Sequence, residues 1–166
     1  MVSTATILDS LAQVLAEVVG GYIFSAGTTT DVTTAEPTVV PLADDFSEAG
    51  MPAVTVALGP WKPLLQPGNE RLHLIAKCAV WRERVPLADN VQALYADRDA
   101  IADALIAHGK LFLHEPAVAS AVLQGGQGIV ARAVPRGLSA AEPRIFLTLP
   151  FTVEIVCNRA VVPQPA

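Results

Sequence analysis

The run LYADRDAIAD, Leu94 to Asp103, sets Asp97, Asp99 and Asp103 around a single cation, Arg98. Carboxylates this close in sequence suit two chemistries, holding a divalent cation or moving protons, provided that they converge in space. On a helix advancing about 100° per residue they do not. Val91, Leu94, Tyr95, Ile101 and Leu105 fall in one stripe, Asp99 and Asp103 on the far side, and Asp97 away from both. A solvated acidic face is the reading that follows, and carboxylates at i and i+4 without a histidine make no metal site by themselves.

Arg98 is different, because the same wheel projects it from the apolar stripe between Leu94, Ile101 and Ala102. A guanidinium there must reach the helix edge or meet a carboxylate, on its own chain or on a neighbour. The helix also carries Ala93, Ala96, Ala100, Ala104 and Ala107. Small residues admit a second backbone at close range, yet they are equally ordinary helix formers.

Other chemical candidates are weaker. The triplet His114-Glu115-Pro116 lacks a second histidine four residues on, and its proline bars the helix of a zinc peptidase. The QGGQG run, Gln124 to Gly128, has no following lysine and leads into a strand, so it reads as a hairpin or loop tip rather than a phosphate cradle. His73, His108 and His114 belong to separate elements, and Cys78 and Cys157 lie on apolar strand faces. They read as two buried free thiols of a reducing compartment, with no disulfide and no zinc site between them. No catalytic residue, metal ligand or cofactor is assigned, and the chain reads as a non-enzyme.

The elements that carry these residues follow from periodicity. Ser3 or Thr4 caps a helix with Ile7, Leu8, Leu11, Val14, Leu15 and Val18 at three- and four-residue spacing, and Gly20-Gly21 ends it. Residues 20–52 read as a long Thr-, Pro- and acid-rich loop or arm, in which Pro37 to Leu42 pairs as a strand only where a neighbour supplies an edge. Ala53 to Leu58 is a short strand and Arg71 to Arg82 a long one. The second helix spans residues 89–108, capped by Asp89 and closed by Gly109. Strands follow at 118–123, 128–134 and 144–158, and residues 159–166 form an extended tail. Ile145, Leu147, Leu149, Phe151, Val153, Ile155 and Cys157 share one face, marking the last strand as central, with Pro150 implying a bulge or an edge. The expected fold is thus one α+β domain over residues 1–166: a mainly antiparallel sheet, two main helices and a long loop in the N-terminal half.

Composition bounds the function. The 166 residues are 52% hydrophobic and only 16% charged, with mean hydropathy +0.44, where soluble domains carry roughly a quarter charged residues. That excess suits a subunit whose surface is covered by partners. The first apolar run, Ile7 to Phe24, contains Asp9, Gln13 and Glu17 with no basic residue before it, so it is read as neither a secretory signal nor a membrane span. Through residue 61 there are seven acids and no base, and after it 11 bases against nine acids, which together give net −5. Such segregation fits head-to-tail packing of identical copies, or an acidic loop that is merely solvated. A concentrated basic patch for nucleic acid is lacking.

The order of segments, TILDSLAQVLAEVV, an acidic loop, VALGPW, RLHLIAKCAVWRER, DNVQALYADRDAIADALIAHG and RIFLTLPFTVEIVCN, resembles the tail terminator (tail completion) proteins of long-tailed bacteriophages. The resemblance spans nearly the whole chain and rests on element order and texture, since that family has no catalytic signature. It implies a homohexameric ring that caps the tail tube, ends tube polymerisation and joins the tail to the head connector. Implied partners are the chain itself, the tail tube protein and a head-side connector or stopper protein. DNA would pass through the lumen without specific binding, and no membrane is involved. It implies a place at the tail–neck junction of the virion after assembly in the host cytoplasm, with Arg98, Arg132 and Arg136 as salt-bridge partners within the subunit or to acids of the adjacent copy. Two other classes stand beside it: another head-to-tail connector, neck or tail-tube subunit, and a small ligand-binding domain or enzyme.

Overall fold

A computed structural model of the chain describes residues 3–30, 37–41, 51–59, 71–107, 118–126, 128–134 and 144–158. Helix α1 spans Thr4–Val19 and begins as its sequence dictates: the Ser3 hydroxyl accepts a hydrogen bond from the Thr6 amide, and Gly20 closes the helix at φ 73°. That left-handed conformation is what a glycine supplies without strain. Ile7, Leu11, Val14 and Leu15 are fully buried along one side.

The strands are β1 (Tyr22–Thr30), β2 (Pro37–Pro41), β3 (Ala53–Leu58), β4 (Arg71–Glu83), β5 (Val118–Gly125), β6 (Val130–Val134) and β7 (Arg144–Asn158), with helix α2 (Leu87–Ala107) between β4 and β5. They form a seven-stranded mixed sheet ordered β2-β1-β3-β4-β7-β5, with β6 also on β7. The β1–β3 pairing is parallel, and the other ladders are antiparallel. The α+β expectation therefore holds.

Several local expectations change. The segment at residues 20–52 is not all loop: Tyr22–Thr30 is a strand, and Pro37–Pro41 pairs with its second half, from Ala26↔Pro41 to Thr30↔Pro37. The edge that the Pro37 run needs is thus supplied by its own chain. Helix α2 begins at Leu87, so Asp89 sits in its first turn, where a carboxylate favours the helix N-terminus, and does not cap it. Gly109, His108, His114 and the tail at 159–166 lie outside the described residues.

One sheet face is apolar and lies under both helices. Leu74, Ala76, Cys78 and Val80 of β4 meet Leu147, Leu149, Phe151, Val153, Ile155 and Cys157 of β7, with α1 and the Leu94, Ile101 and Leu105 side of α2 above them. Ile145, counted with that inward set, is 41% exposed at the strand's start. Both cysteines are buried and outside any disulfide, and burial pushes the Cys78 thiol well above its usual range despite neighbouring Lys77. The opposite face holds a smaller cluster of Ala53, Ala79, Trp81 and Phe146, where the Trp81 indole N–H donates to Thr55 Oγ1 at 2.9 Å.

Strand β7 is the spine of the sheet. One flank pairs with β4 from Arg71↔Asn158 to Glu83↔Phe146 without a register shift. The other flank carries β5 up to Gly125↔Thr152 and then β6 from Val130↔Thr148. QGGQG is therefore no hairpin, since β5 and β6 run in the same direction along β7, end to end. Pro150 falls between the two ladders, where its missing N–H is not called upon: the β4 ladder runs past it unshifted, that other flank is unpaired there among the described residues, and the irregularity lies in β5, whose register shifts between Leu123 and Gly125. The carbonyl of Pro150 faces this crossover so closely that a β-carbon on Gly126 would collide with it.

Candidate functional site

Helix α2 carries Asp97, Arg98, Asp99 and Asp103, in an arrangement different from the expected one. The helix is rotated about its axis relative to the stripe read from sequence. Leu94, Asp97, Ile101, Ala104 and Leu105 are buried, whereas Tyr95, placed in the stripe, is 52% exposed.

This rotation exchanges the roles of two neighbours. Asp97 enters the protein and receives Arg82 of β4 in a two-pronged contact, Nε to Oδ2 at 2.7 Å and Nη2 to Oδ1 at 2.9 Å. The side chains are 19% and 8% exposed, so solvent screens the pair little, and a guanidinium laid flat on a carboxylate is the strong form of this interaction. Arg98 turns outward: its side chain is 67% exposed and touches Asp99 Oδ1 at 3.1 Å, an exposed neighbour contact of small energetic weight. The expectation that Arg98 projects from the apolar stripe is corrected, and the buried arginine–carboxylate pair belongs to Arg82 and Asp97.

Arg98 nevertheless stands at an apolar cavity of about 200 Å³ between α2 and the β5–β7 crossover, together with Ile101, Leu123, Gly125, Gly126, Leu149, Pro150 and Phe151. Arg132, on β6 opposite Phe146, is half-buried and does not line this cavity. Arg136 lies outside the described residues. The three arginines named from sequence are therefore not brought to one site among the described residues.

A second cleft, of about 310 Å³, runs between α1 at Ala5, Leu8, Asp9 and Ala12 and strands β1 and β3 at Ile23, Ala26, Val56 and Leu58. Beside it Tyr22 and Ile23 are exposed large apolar residues. On the sheet face away from the helices, His73 of β4 and Gln124 of β5 converge on the two oxygens of Glu154 in β7, and Lys77 Nζ donates to Thr152 Oγ1 at 3.2 Å. This is a polar row across three adjacent strands. A single carboxylate is thus shared between an imidazole and an amide. No group of three or more His, Cys, Asp or Glu side chains converges as a metal site among the described residues.

Fold and geometry together define an α+β domain with both helices on one face of a mixed sheet, an acidic N-terminal part and a cation-rimmed apolar cavity on the β5 flank. Neither a protein-family model nor a curated protein matches the chain. None of the helices is long and apolar enough to cross a membrane among the described residues.

Sequence reasoning missed the Arg82–Asp97 pair. A signal was present: Arg82 continues the apolar face Leu74, Ala76, Cys78 and Val80 of its strand, and a charge on that face demands an opposite one from the layer above.

Proposed function

We propose that this chain is a structural subunit of a long-tailed bacteriophage virion, a tail terminator that forms a ring on the end of the tail tube, stops its polymerisation and presents a surface to the head-side connector. The resemblance in element order is the starting point. The observation that carries it further is the separation of complementary features onto opposite flanks of one sheet. The β1 flank has exposed Tyr22 and Ile23 within the base-free part of the sequence. The β5 flank has the Arg98-rimmed cavity. Different surfaces on opposite flanks suit heterologous, head-to-tail contacts, which generate a ring where the rotation between copies closes and a filament where it does not.

In this reading the role is structural rather than catalytic, its place is the tail–neck junction, and its partners are further copies of itself, the tube protein and the connector or stopper. The lumen of such a ring is acidic or neutral in this reading, with which a net charge of −5 agrees.

Native mass spectrometry and electron microscopy of the chain, alone and with its tube protein, test the proposal. A six-membered ring that arrests tube growth is the expected result. A strict monomer that leaves tube length unchanged overturns it, and a ring located elsewhere in the neck reassigns the subunit to another connector.

A further inference from the structure

We propose that the cavity between α2 and the β5–β7 crossover is the socket for the acidic segment Asp44–Glu48 of a second copy, with the Phe46 ring inside and the Asp44–Asp45 carboxylates on Arg98. This contact rests on the self-assembling reading above and gives it a specific fastening.

The socket has the right chemistry. Its walls are Ile101, Leu123, Leu149 and Phe151, and its volume is about 200 Å³. An apolar cavity of about 150 Å³ already accepts a benzene ring. The guanidinium at its mouth is 67% exposed and, among the described residues, is held by exposed Asp99 alone, so it is available to a stronger carboxylate partner at small cost. The sequence offers one segment that matches both requirements. Phe46 is the sole aromatic residue between Phe24 and Trp61, and Asp44, Asp45 and Glu48 flank it in a part of the chain that has no base through residue 61.

Topology favours an intermolecular contact. The segment joins Pro41, which pairs with Ala26 of β1, to Ala53, which pairs with Tyr22 of β1. Both anchors sit on the β1 flank, and strands β3, β4 and β7 stand between β1 and β5 in the sheet. A plug tethered at one flank and a socket at the other is the arrangement a head-to-tail contact requires.

The test uses the full chain carrying Phe46→Ala, which empties the socket of its own plug, and a fluorescent peptide of residues 41–51 read by anisotropy. Saturable binding is expected, weakened at least tenfold by Arg98→Glu in the protein or Phe46→Ala in the peptide. A peptide carrying Asp44→Lys and Asp45→Lys should bind the Arg98→Glu protein in return. Native mass spectra of the otherwise unaltered Arg98→Glu chain should show association only at higher concentration than the parent. Absence of saturable binding, or equal binding by the proteins with and without the Arg98→Glu change, overturns the socket even if rings persist, and persistent rings then leave the assembly reading standing. A parent chain that is monomeric at every concentration overturns the second copy as occupant together with that reading.

Discussion

Arg82 of β4 and Asp97 of α2 grip each other through two guanidinium nitrogens and both carboxylate oxygens, at 2.7 and 2.9 Å, between the helix layer and the sheet. The pair fixes the rotation of α2, because turning the helix toward the stripe suggested by its sequence would withdraw Asp97 and push Arg98 into the core. Removing one partner leaves the other charge half-stranded. Asp97→Ala should destabilise the protein by about 3 kcal/mol, at the low end for a buried pair because Arg82 is partly solvated. The apolar double variant Arg82→Met/Asp97→Leu should lose far less. Urea unfolding of the parent, Arg82→Met, Asp97→Leu and the double variant checks this, with a coupling energy above about 1 kcal/mol expected. Simple additivity of the two single changes would show that the pair does not act as a unit.

Two buried threonines should answer oppositely to the same substitution. Thr55 Oγ1 accepts from the Trp81 indole at 2.9 Å, so Thr55→Val strands a buried donor and should cost about 1–3 kcal/mol. Thr148 Oγ1 is buried without a hydrogen-bond partner among the described residues. Thr148→Val removes an unsatisfied hydroxyl while keeping the shape, and should be neutral or stabilising. Thermal melts of both variants, read against the parent, decide the matter; a Thr148→Val protein that melts as early as Thr55→Val contradicts it.

The Cys78 thiol links stability to alkaline pH. Burial raises its folded-state pKa above the unfolded value of 9.0, so the folded state holds the proton longer than the unfolded one. The stabilisation is fully present below about pH 9 and declines as pH rises beyond it, by about 1.4 kcal/mol per pH unit from this one group. Between about pH 9 and pH 10.5 the parent should therefore lose about 2 kcal/mol more than Cys78→Ala, measured by chemical unfolding. In the native protein near neutral pH the same thiol should resist alkylation until the chain is unfolded.

At the crossover, Gly126 has Phe151 Cα within 2.7 Å of where a β-carbon would stand and Pro150 O closer still, whereas Gly128 has nothing within 4 Å. Backbone cannot give way as a side-chain tip does. Gly126→Ala should cost about 1–3 kcal/mol and Gly128→Ala little. Equal melting temperatures for the two would contradict the close approach.

Much of the fold is legible in the residues themselves. Ser3 and Gly20 bracket α1 because cap chemistry is local, and the odd-numbered residues from Leu147 to Cys157 announce a central strand because alternation survives in any context. β1 was hidden: Phe24 to Thr30 is rich in small and hydroxyl residues, and only the presence of β3 and β2 on it makes an extended strand of them. The rotation of α2 was hidden for a different reason. Its many alanines fit either side of the helix, so the wheel was decided by Tyr95 and Val91, which the fold leaves at the margin. Asp97 could be placed only by knowing that Arg82 lies opposite. The cavity beside Arg98 joins residues of α2, β5 and β7 that share no local pattern, and no periodicity reveals a space between elements.

The position of β7 at the centre of the sheet has a consequence for how the protein is made. Its partner β4 and the helices that roof it leave the ribosome well before it does, and β5 and β6 follow while still lacking the strand on which both align. Until Arg144–Asn158 emerges, the nascent chain holds β4 with one unclaimed side and a hydrophobic face only half built. Non-local pairing of this kind is slow to form and leaves strand edges open meanwhile. Folding should thus complete only once β7 has emerged, and a chain arrested before β7 should be a substrate for chaperones rather than for assembly.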